Sequence, residues 1–213
     1  MKEFDTVCIN WKSVENELIA FEHLLSTHPD LDESSQILPF FKKSLHLSAL
    51  IGKVYFPDII DSNRIAFEFD IFGDFKADLV IGDFQKESYA FIEFEDGKTN
   101  SIFKKTVSKY QKEWSYKFEH GYSQIIDWFW KLDDLKQSAS FESIFGSSSI
   151  DFEGILIIGR TSSFKSIIDK KRFKWRRNHT IIQSKKIHCV TYDELLEDLK
   201  QLSKYFKSSN IQQ

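Results

Sequence analysis

Three acidic side chains stand within two consecutive apolar stretches of the chain. The segment ADLVIGDFQKESYAFIEFED, residues 77–96, has the alternating pattern of two strands around a polar turn. Asp78 belongs to the first strand, and Glu93 and Glu95 share one face of the second because they are two residues apart. Strand pairing would bring Asp78 beside Glu93, and neighbouring carboxylates raise one another's pKa unless a cation neutralises them. The pattern therefore predicts that Asp78, Glu93 and Glu95 bind a hard metal ion such as Mg²⁺ or Mn²⁺.

Alternatively, the glutamates lie on a solvent-exposed strand face and have no shared role. An isolated E-x-E pattern more often has this origin. Here Phe91, Ile92 and Phe94 surround the two glutamates, and an Asp lies on the preceding strand. These neighbours favour the metal site. A bound ion of this kind would polarise a phosphate and activate water.

A helical pattern after the hairpin carries a second group of polar side chains. In residues 116–132, His120 and Gln124 begin a polar stripe that continues through Asp127 and Lys131. The stripe could face water or the carboxylate cluster, and the spacing alone leaves both orientations open.

Hydrophobic periodicity predicts the elements that position these groups. The first half contains a helix at 11–27, a helix from 32 to about 50 closed by Gly52, and strands at 64–73, 76–83 and 89–96. The second half begins with a long helix within 101–137, interrupted near 113–117, and a polar loop at 142–154. A buried strand at 154–160, a basic helix around 163–177, a strand at 186–190 and a C-terminal helix follow. In the first strand, Ile65, Phe67, Phe69 and Ile71 alternate with polar or small residues, as in a half-buried strand. The order predicts an α/β fold with a mixed β-sheet flanked by helices.

The length and composition favour one ordinary globular domain. The chain has 213 residues, with 21 Phe and 5 Trp but only 3 Pro, which indicates an aromatic core and regular structure. Cys8 and Cys189 are far apart and lack metal-ligand spacing, as expected of a reduced intracellular protein. The first residues lack an apolar signal region, and no run has the length of a membrane span. We therefore expect a cytoplasmic protein that does not enter a membrane.

Charge is distributed unevenly along the chain. Residues 1–95 contain 18 acidic and 8 basic side chains, whereas residues 165–186 contain nine Lys or Arg and one Asp. A basic segment beside an acidic, cation-binding half is expected of an enzyme that acts on a polyanion, although a solvated helix face would look the same. The basic candidates for sequence-independent phosphate contacts are Lys170, Lys171, Arg172, Lys174, Arg176 and Arg177, with Arg160 as a further candidate that could equally form a structural ion pair. The tryptophans Trp114, Trp128, Trp130 and Trp175 could stack on bases, although core packing is the more frequent role.

A known family has the same set of motifs. The signature of the PD-(D/E)xK nucleases is an Asp on one strand and Glu-x-Lys on the next, which Asp78 and Glu93 resemble, with Glu95 in the place of the Lys. The segments HLSALIG, GDFKADLVIGD, YAFIEFEDGKTNSIF, KFEHGYSQIIDWFWKL, GILIIGR and IHCVTYDELL occur in this order. Together they resemble the nuclease domain of the Shedu (SduA) antiphage defence proteins, in particular compact members with E-x-E in place of E-x-K. The similarity runs from about Pro29 to Leu199.

The resemblance implies a PD-(D/E)xK, restriction-endonuclease-like core, metal-dependent DNA cleavage and a homo-oligomer, either a dimer or a tetramer. It implies an N-terminal helical extension at 1–30 and a Shedu-type nuclease domain at 31–213. Asp78 and Glu93 match the metal-binding acids, and Gln124 matches a helix glutamine that faces the site. Gln124 would then hydrogen-bond the attacking water or a phosphate oxygen, and His120 would donate a proton or contact the phosphate. Glu33 could match an early glutamate of such nucleases.

Glu95 stands where the family pattern usually has lysine. A carboxylate cannot stabilise the negative charge that develops on a phosphate during cleavage. It could act as a general base or recruit a second metal ion. Alternatively, a lysine from elsewhere, such as Lys76 or Lys98, enters the site, or cleavage has been lost.

Three functional hypotheses follow. The first is a metal-dependent DNA endonuclease of antiviral defence with little sequence specificity, since no base-reading motif is present. The second is a catalytically silent nuclease-fold protein that acts as a nucleic-acid-binding or regulatory subunit. The third is a structural interaction protein without affinity for DNA.

Overall fold

The computed structural model describes residues 4–104 and 111–210, with side chains as far as Ser208. Within these residues the strands are β1 (Asp5–Thr6), β2 (Arg64–Ile71), β3 (Phe75–Asp83), β4 (Ser88–Phe94), β5 (Asp151–Ile157), β6 (Ile181–Ile182) and β7 (Lys185–Val190). They form one sheet in the order β1-β2-β3-β4-β5-β7-β6. β1 to β4 pair antiparallel, β5 pairs parallel with both β4 and β7, and β6 pairs antiparallel with β7. The predicted mixed sheet is confirmed.

Helices cover both faces of the sheet. They are α1 (Trp11–Thr27), α2 (Leu38–Lys43), α3 (Leu45–Tyr55), α4 (Tyr116–Leu135), α5 (Ala139–Phe145), α6 (Ile167–His179) and α7 (Tyr192–Asn210), with a π-helical turn at Glu33–Ile37 and a 3₁₀ turn at Thr161–Ser163. The helices α1, α2, α3 and α7 pack into a first core, and α4, α5 and α6 into a second core on the opposite face. The predicted α/β class is confirmed, and no helix among the described residues has the length and apolarity to cross a membrane.

The central strand β4 is buried on both faces. Ala90, Ile92 and Phe94 pack into the first core, whereas Tyr89 and Phe91 pack into the second. Strand alternation therefore places Glu93 and Glu95 on the face that α4 covers.

The strand β2 changes faces in its middle, which the sequence pattern did not predict. Ile65 and Phe67 pack into the first core, but Phe69 and Ile71 pack into the second. Between them, Glu68 adopts a left-handed backbone with φ of 49°. Such a residue interrupts regular alternation. The four apolar side chains therefore do not share one face.

Several predicted boundaries were wrong. The helix predicted from 32 to 50 is divided into the π-helical turn, α2 and α3, with the last break at Ser44. Gly52 lies inside α3, where a Cβ would stand 2.9 Å from Ile81 Cγ2, so this glycine permits close packing on the sheet. The loop predicted at 142–154 includes the end of α5 and the start of β5, and β1 and β6 were not predicted.

The long helix predicted within 101–137 was also wrong in its first part. Phe103 instead forms an isolated bridge with Trp114, and residues 105–110 lie outside the described part of the chain. α4 begins only after Ser115, whose side chain accepts a hydrogen bond from the backbone N–H of Phe118. The N-terminal extension predicted at residues 1–30 stays a prediction. Its helix α1 contributes Val14 and Leu18 to the first core.

Candidate active site

The predicted hairpin brings Asp78 to the strand that carries the glutamates. β3 and β4 are in register through Leu79 and Ile92, so Asp78 and Glu93 occupy the next position along the pair. The Asp78 carboxylate accepts a hydrogen bond of 2.9 Å from the backbone N–H of Phe94. This bond fixes the carboxylate at the end of β4, between Glu93 and Glu95.

Backbone contacts hold the residues just after β4. The Glu95 N–H donates to Ile157 O at 2.9 Å, and the Tyr192 hydroxyl donates to Glu95 O at 2.6 Å. Gly97 then exchanges two backbone hydrogen bonds with Leu31. This exchange brings the π-helical turn and its Glu33 beside the end of β4.

Two glycines allow α4 to lie directly on β5. A Cβ on Gly121 would stand 2.5 Å from Leu156 Cδ1, and a Cβ on Gly154 would stand 2.3 Å from Ile125 Cγ2. Both distances are shorter than side-chain carbons tolerate, so a larger residue at either position would push the helix away. The close approach brings the polar stripe of α4 against Glu95.

Lys117 on α4 contacts Glu95, the residue that stands in place of the lysine of the family pattern. Its Nζ lies 2.9 Å from Glu95 Oε2 and 3.1 Å from Glu33 Oε2. The Glu95 side chain is only 2% exposed, whereas that of Lys117 is 42% exposed, so the amino group retains access to solvent. Partial burial lowers the pKa of Lys117, but the contacts with Glu95 and Glu33 outweigh it and raise the pKa above its usual range. The lysine is therefore charged at neutral pH.

The other two candidates on α4 also face the cluster. His120 Nδ1 lies 3.4 Å from Glu95 Oε1. The Gln124 side chain lies close enough to Glu93 to lower that residue's pKa, while its Oε1 is buried without a hydrogen-bond partner among the described residues. The structure thus brings Asp78, Glu93, Glu95, His120 and Gln124 together, as the sequence analysis expected.

Burial and mutual repulsion raise the pKa values of the three acids. Burial is the largest cause at Asp78, and with the nearby charges of Glu33 and Glu95 it raises the pKa to about 7 despite the hydrogen bond from Phe94. Burial, followed by the charge of Asp78, raises the pKa of Glu93 well above its usual value. Burial also raises the pKa of Glu95, although Lys117 opposes this shift.

The donor chemistry of the cluster fits a hard cation. Asp78 and Glu93 offer carboxylate oxygens whose charge is costly to bury alone, and the unpartnered Gln124 Oε1 is a further oxygen. Mg²⁺ is commonly held by one or two carboxylates and completes its shell with water and substrate phosphate. Within residues 4–104 and 111–210, no three acidic, His or Cys side chains are already arranged as a ligand group. Asp78 and Glu93 are the residues that would hold the ion, and metal binding by Glu95, which contacts Lys117, stays a prediction.

Comparison with known protein families identifies the group to which the molecule belongs. The family model described as "Shedu protein SduA, C-terminal" matches residues 30–196, which is most of the sequence. The chain belongs to the Shedu family. This membership supports a role in antiphage defence. A search of curated proteins finds no match.

Lys117, which contacts Glu95, was not among the residues predicted from the sequence. Lys98, one of the two lysines considered, pairs with Asp32 at 3.1 Å and with Asp96 at 3.0 Å. The other, Lys76, is exposed. Lys117 precedes His120 by three residues on the same helix face, so it belongs to the polar stripe, but its spacing alone does not show that it contacts Glu95.

The predicted basic residues divide into two groups. Lys170, Lys171 and Lys174 on α6 are exposed. The arginines have internal partners: Arg172 donates to Lys112 O, Arg176 pairs with Glu119, and Arg177 pairs with Glu194. The exposed lysines are thus the better candidates for phosphate contacts, and the DNA-binding role of all six stays a prediction.

Arg160 is bound within the protein. Its guanidinium lies 2.8 Å from Asp193 Oδ1 and donates to the carbonyls of Leu25 and His28, and its side chain is only 12% exposed. These contacts join the end of β5 to α1 and α7. They favour the structural ion pair over the phosphate contact.

Replacing Arg160 with alanine is expected to lower the free energy of unfolding by about 3 kcal/mol, because it leaves the partly buried Asp193 without its cation. Urea denaturation measures this loss.

The same variant tests the phosphate contact. In Arg160→Ala, the slope of log Kobs against log salt concentration for DNA binding should stay unchanged, whereas Lys174→Ala should reduce the size of this slope by about one. A reduced slope for Arg160→Ala would instead assign this arginine to phosphate.

Proposed function

We propose that this Shedu protein is a metal-dependent DNA endonuclease that acts in the cytoplasm during antiphage defence. The observation that carries the proposal is the position of Lys117, whose amino group meets Glu95 beside Asp78 and Glu93. An acid pair and an adjacent cation are the groups that phosphodiester hydrolysis requires. The lysine that the E-x-E sequence lacks is thus supplied from α4.

Each side chain has a distinct role in this proposal. Asp78 and Glu93 would hold Mg²⁺ or Mn²⁺, which supplies an activated water and polarises the phosphate. Glu95 orients Lys117, because its carboxylate is buried and fixed while the lysine is half-exposed. Lys117 stabilises the negative charge that develops on the phosphate. Gln124 holds Glu93 in place.

His120 lies at the entrance of the cluster. Its side chain is 43% exposed and its Nδ1 contacts Glu95. From this position the imidazole can contact a phosphate oxygen or protonate the leaving oxygen. The exposed lysines of α6 would supply sequence-independent contacts to the DNA backbone, and the active protein would be a homodimer or homotetramer.

A catalytically silent, DNA-binding protein is the second candidate. Its support is the pairing of Lys117 with both Glu95 and Glu33, because two carboxylates satisfy the cation before any phosphate arrives. In that case the cluster would bind DNA or stabilise the fold without cleavage.

The test is cleavage of linear, nicked and supercoiled DNA by purified protein with Mg²⁺ or Mn²⁺. We expect Glu93→Gln to reduce the rate about a thousandfold, since several kcal/mol of charge stabilisation are lost with the ion. The matched control is Glu142→Gln on the exposed surface of α5, which should cut at the wild-type rate. DNA binding without cleavage by the wild type would favour the silent candidate.

A further inference from the structure

Two cavities lie along the line where α4 faces α6. The larger has a volume of about 670 Å³ and is lined by Trp175, Arg172 and Ile182 among others. The smaller, of about 510 Å³, includes His120. Both are lined in part by Arg176 and Thr180, so the two cavities are adjacent and together form a groove. We call this the α4–α6 groove.

The groove ends at the candidate active site. His120 lines it and also lies 3.4 Å from Glu95. A ligand that occupies both cavities would therefore reach the carboxylate cluster at one end and Trp175 at the other.

Exposed aromatic rings stand at both ends of the groove. Trp175 is 64% exposed and has one ring face stacked on His179, with centroids 4.7 Å apart. Tyr116 is 73% exposed and lies beside His120, with centroids 5.4 Å apart. Such exposure is unusual for large aromatic side chains, because burying them would be favourable.

The groove also carries positive charge. Arg172 and Arg176 line it; Arg176 pairs with Glu119, which also lines the smaller cavity, whereas Arg172 donates to a backbone carbonyl and has no carboxylate partner among the described residues. Lys171 and Lys174 are exposed on the same helix. Aromatic platforms within a basic groove are the combination by which proteins bind single-stranded nucleic acid, because bases stack on the rings and phosphates meet the cations.

We propose that the α4–α6 groove binds an unpaired stretch of a DNA strand, with one nucleobase stacked on Trp175 and the strand running toward His120. The proposal rests on the proposed function, because it specifies the form of DNA that the site receives. A base within a duplex is stacked on its neighbours and cannot lie on Trp175, so the groove selects frayed ends, gaps or tails.

The test compares Trp175→Ala with Trp130→Ala, a matched control because Trp130 is 56% exposed on α4 and does not line either cavity. Fluorescence anisotropy in EDTA measures the binding of a labelled oligo-dT of fifteen nucleotides and of a labelled blunt duplex of fifteen base pairs. We expect Trp175→Ala to weaken oligo-dT binding about tenfold and duplex binding less than about twofold. Trp130→Ala should change neither.

Equal oligo-dT affinity of Trp175→Ala and wild type would overturn the proposal, as would an equal loss on both DNA forms. Full displacement of oligo-dT by micromolar dTMP would assign the groove to a free nucleotide instead. A change in oligomer mass in Trp175→Ala, measured by light scattering, would assign it to contact between copies of the chain. Because binding is measured without metal, a protein that cuts no DNA can still support the proposal, so the two failures are distinguishable.

Discussion

Replacing Lys117 with methionine is expected to reduce DNA cleavage by about 10²–10³-fold, the usual effect of removing one group that stabilises charge in a transition state. Methionine keeps the length and apolar stem of the side chain but removes the cation that contacts Glu95 and Glu33. Because the Lys117 side chain is 42% exposed, no core packing is lost. Single-turnover cleavage of linear DNA at saturating Mg²⁺ measures the effect on the chemical step.

Lys98→Met is the matched control, since Lys98 also pairs with two acids near the end of β4 but does not contact Glu95. It should cut at the wild-type rate. If Lys98→Met were the inactive variant and Lys117→Met the active one, the assignment of the lysine would be wrong.

A second substitution tests whether Lys117 occupies the role of the missing lysine. Introducing Glu95→Lys into the Lys117→Met protein restores an E-x-K sequence on β4, so part of the lost activity should return. Lys117→Arg should retain partial activity, because the charge is kept but the planar guanidinium cannot place a point charge in the same way. Absence of any recovery in the double variant would mean that Lys117 acts only through Glu95 and Glu33.

The carboxylate cluster could be predicted from the sequence because its geometry is local. Asp78 and Glu93 are joined by a short hairpin, and register through a short turn follows from counting residues. Strand alternation then places Glu93 and Glu95 on one face. No long-range contact is needed for either inference.

Lys117 could not be assigned in the same way. Its approach to Glu95 depends on where α4 begins, which the Ser115 cap decides. It also depends on how closely α4 lies on β5, which Gly121 and Gly154 permit. Periodicity reports the face of a helix but not its distance from the sheet, so the sequence indicated a polar stripe without showing what it contacts.

Glu33 and the basic segment show the same limit. Glu33 reaches Lys117 because its N–H donates to Asp96, a contact between residues 63 positions apart. The basic character of α6 was evident from the sequence, but the pairing of Arg176 with Glu119 requires the packed structure. Charge content is thus predictable, whereas the partners of each charge are not.

Replacing Asp78 with asparagine is expected to abolish cleavage and yet stabilise the metal-free protein at pH 8. Burial and neighbouring acids raise the pKa of Asp78 to about 7 in the folded state, against about 4 in an unfolded chain. Between these values the folded state binds more protons, so the stability contributed by Asp78 is present below about pH 4 and is lost as the pH rises to about 7. Asparagine avoids that loss, on the order of 4 kcal/mol at most, and its Oδ1 can still accept the hydrogen bond from Phe94.

Urea denaturation in EDTA at pH 4, 6 and 8 measures the difference between Asp78→Asn and wild type. The gain in stability should be largest at pH 8 and small at pH 4, whereas Asp127→Asn on the exposed face of α4 should follow the wild type throughout. Parallel curves for Asp78→Asn and wild type would show that the carboxylate is not costly to ionise in the fold. Adding Mg²⁺ at pH 8 should raise the melting temperature of the wild type but not of Asp78→Asn, because ligand binding to the folded state alone stabilises it. Without metal at pH 8, the wild type loses stability because Asp78 is ionised in the folded state. Metal binding to that carboxylate should therefore restore the lost stability.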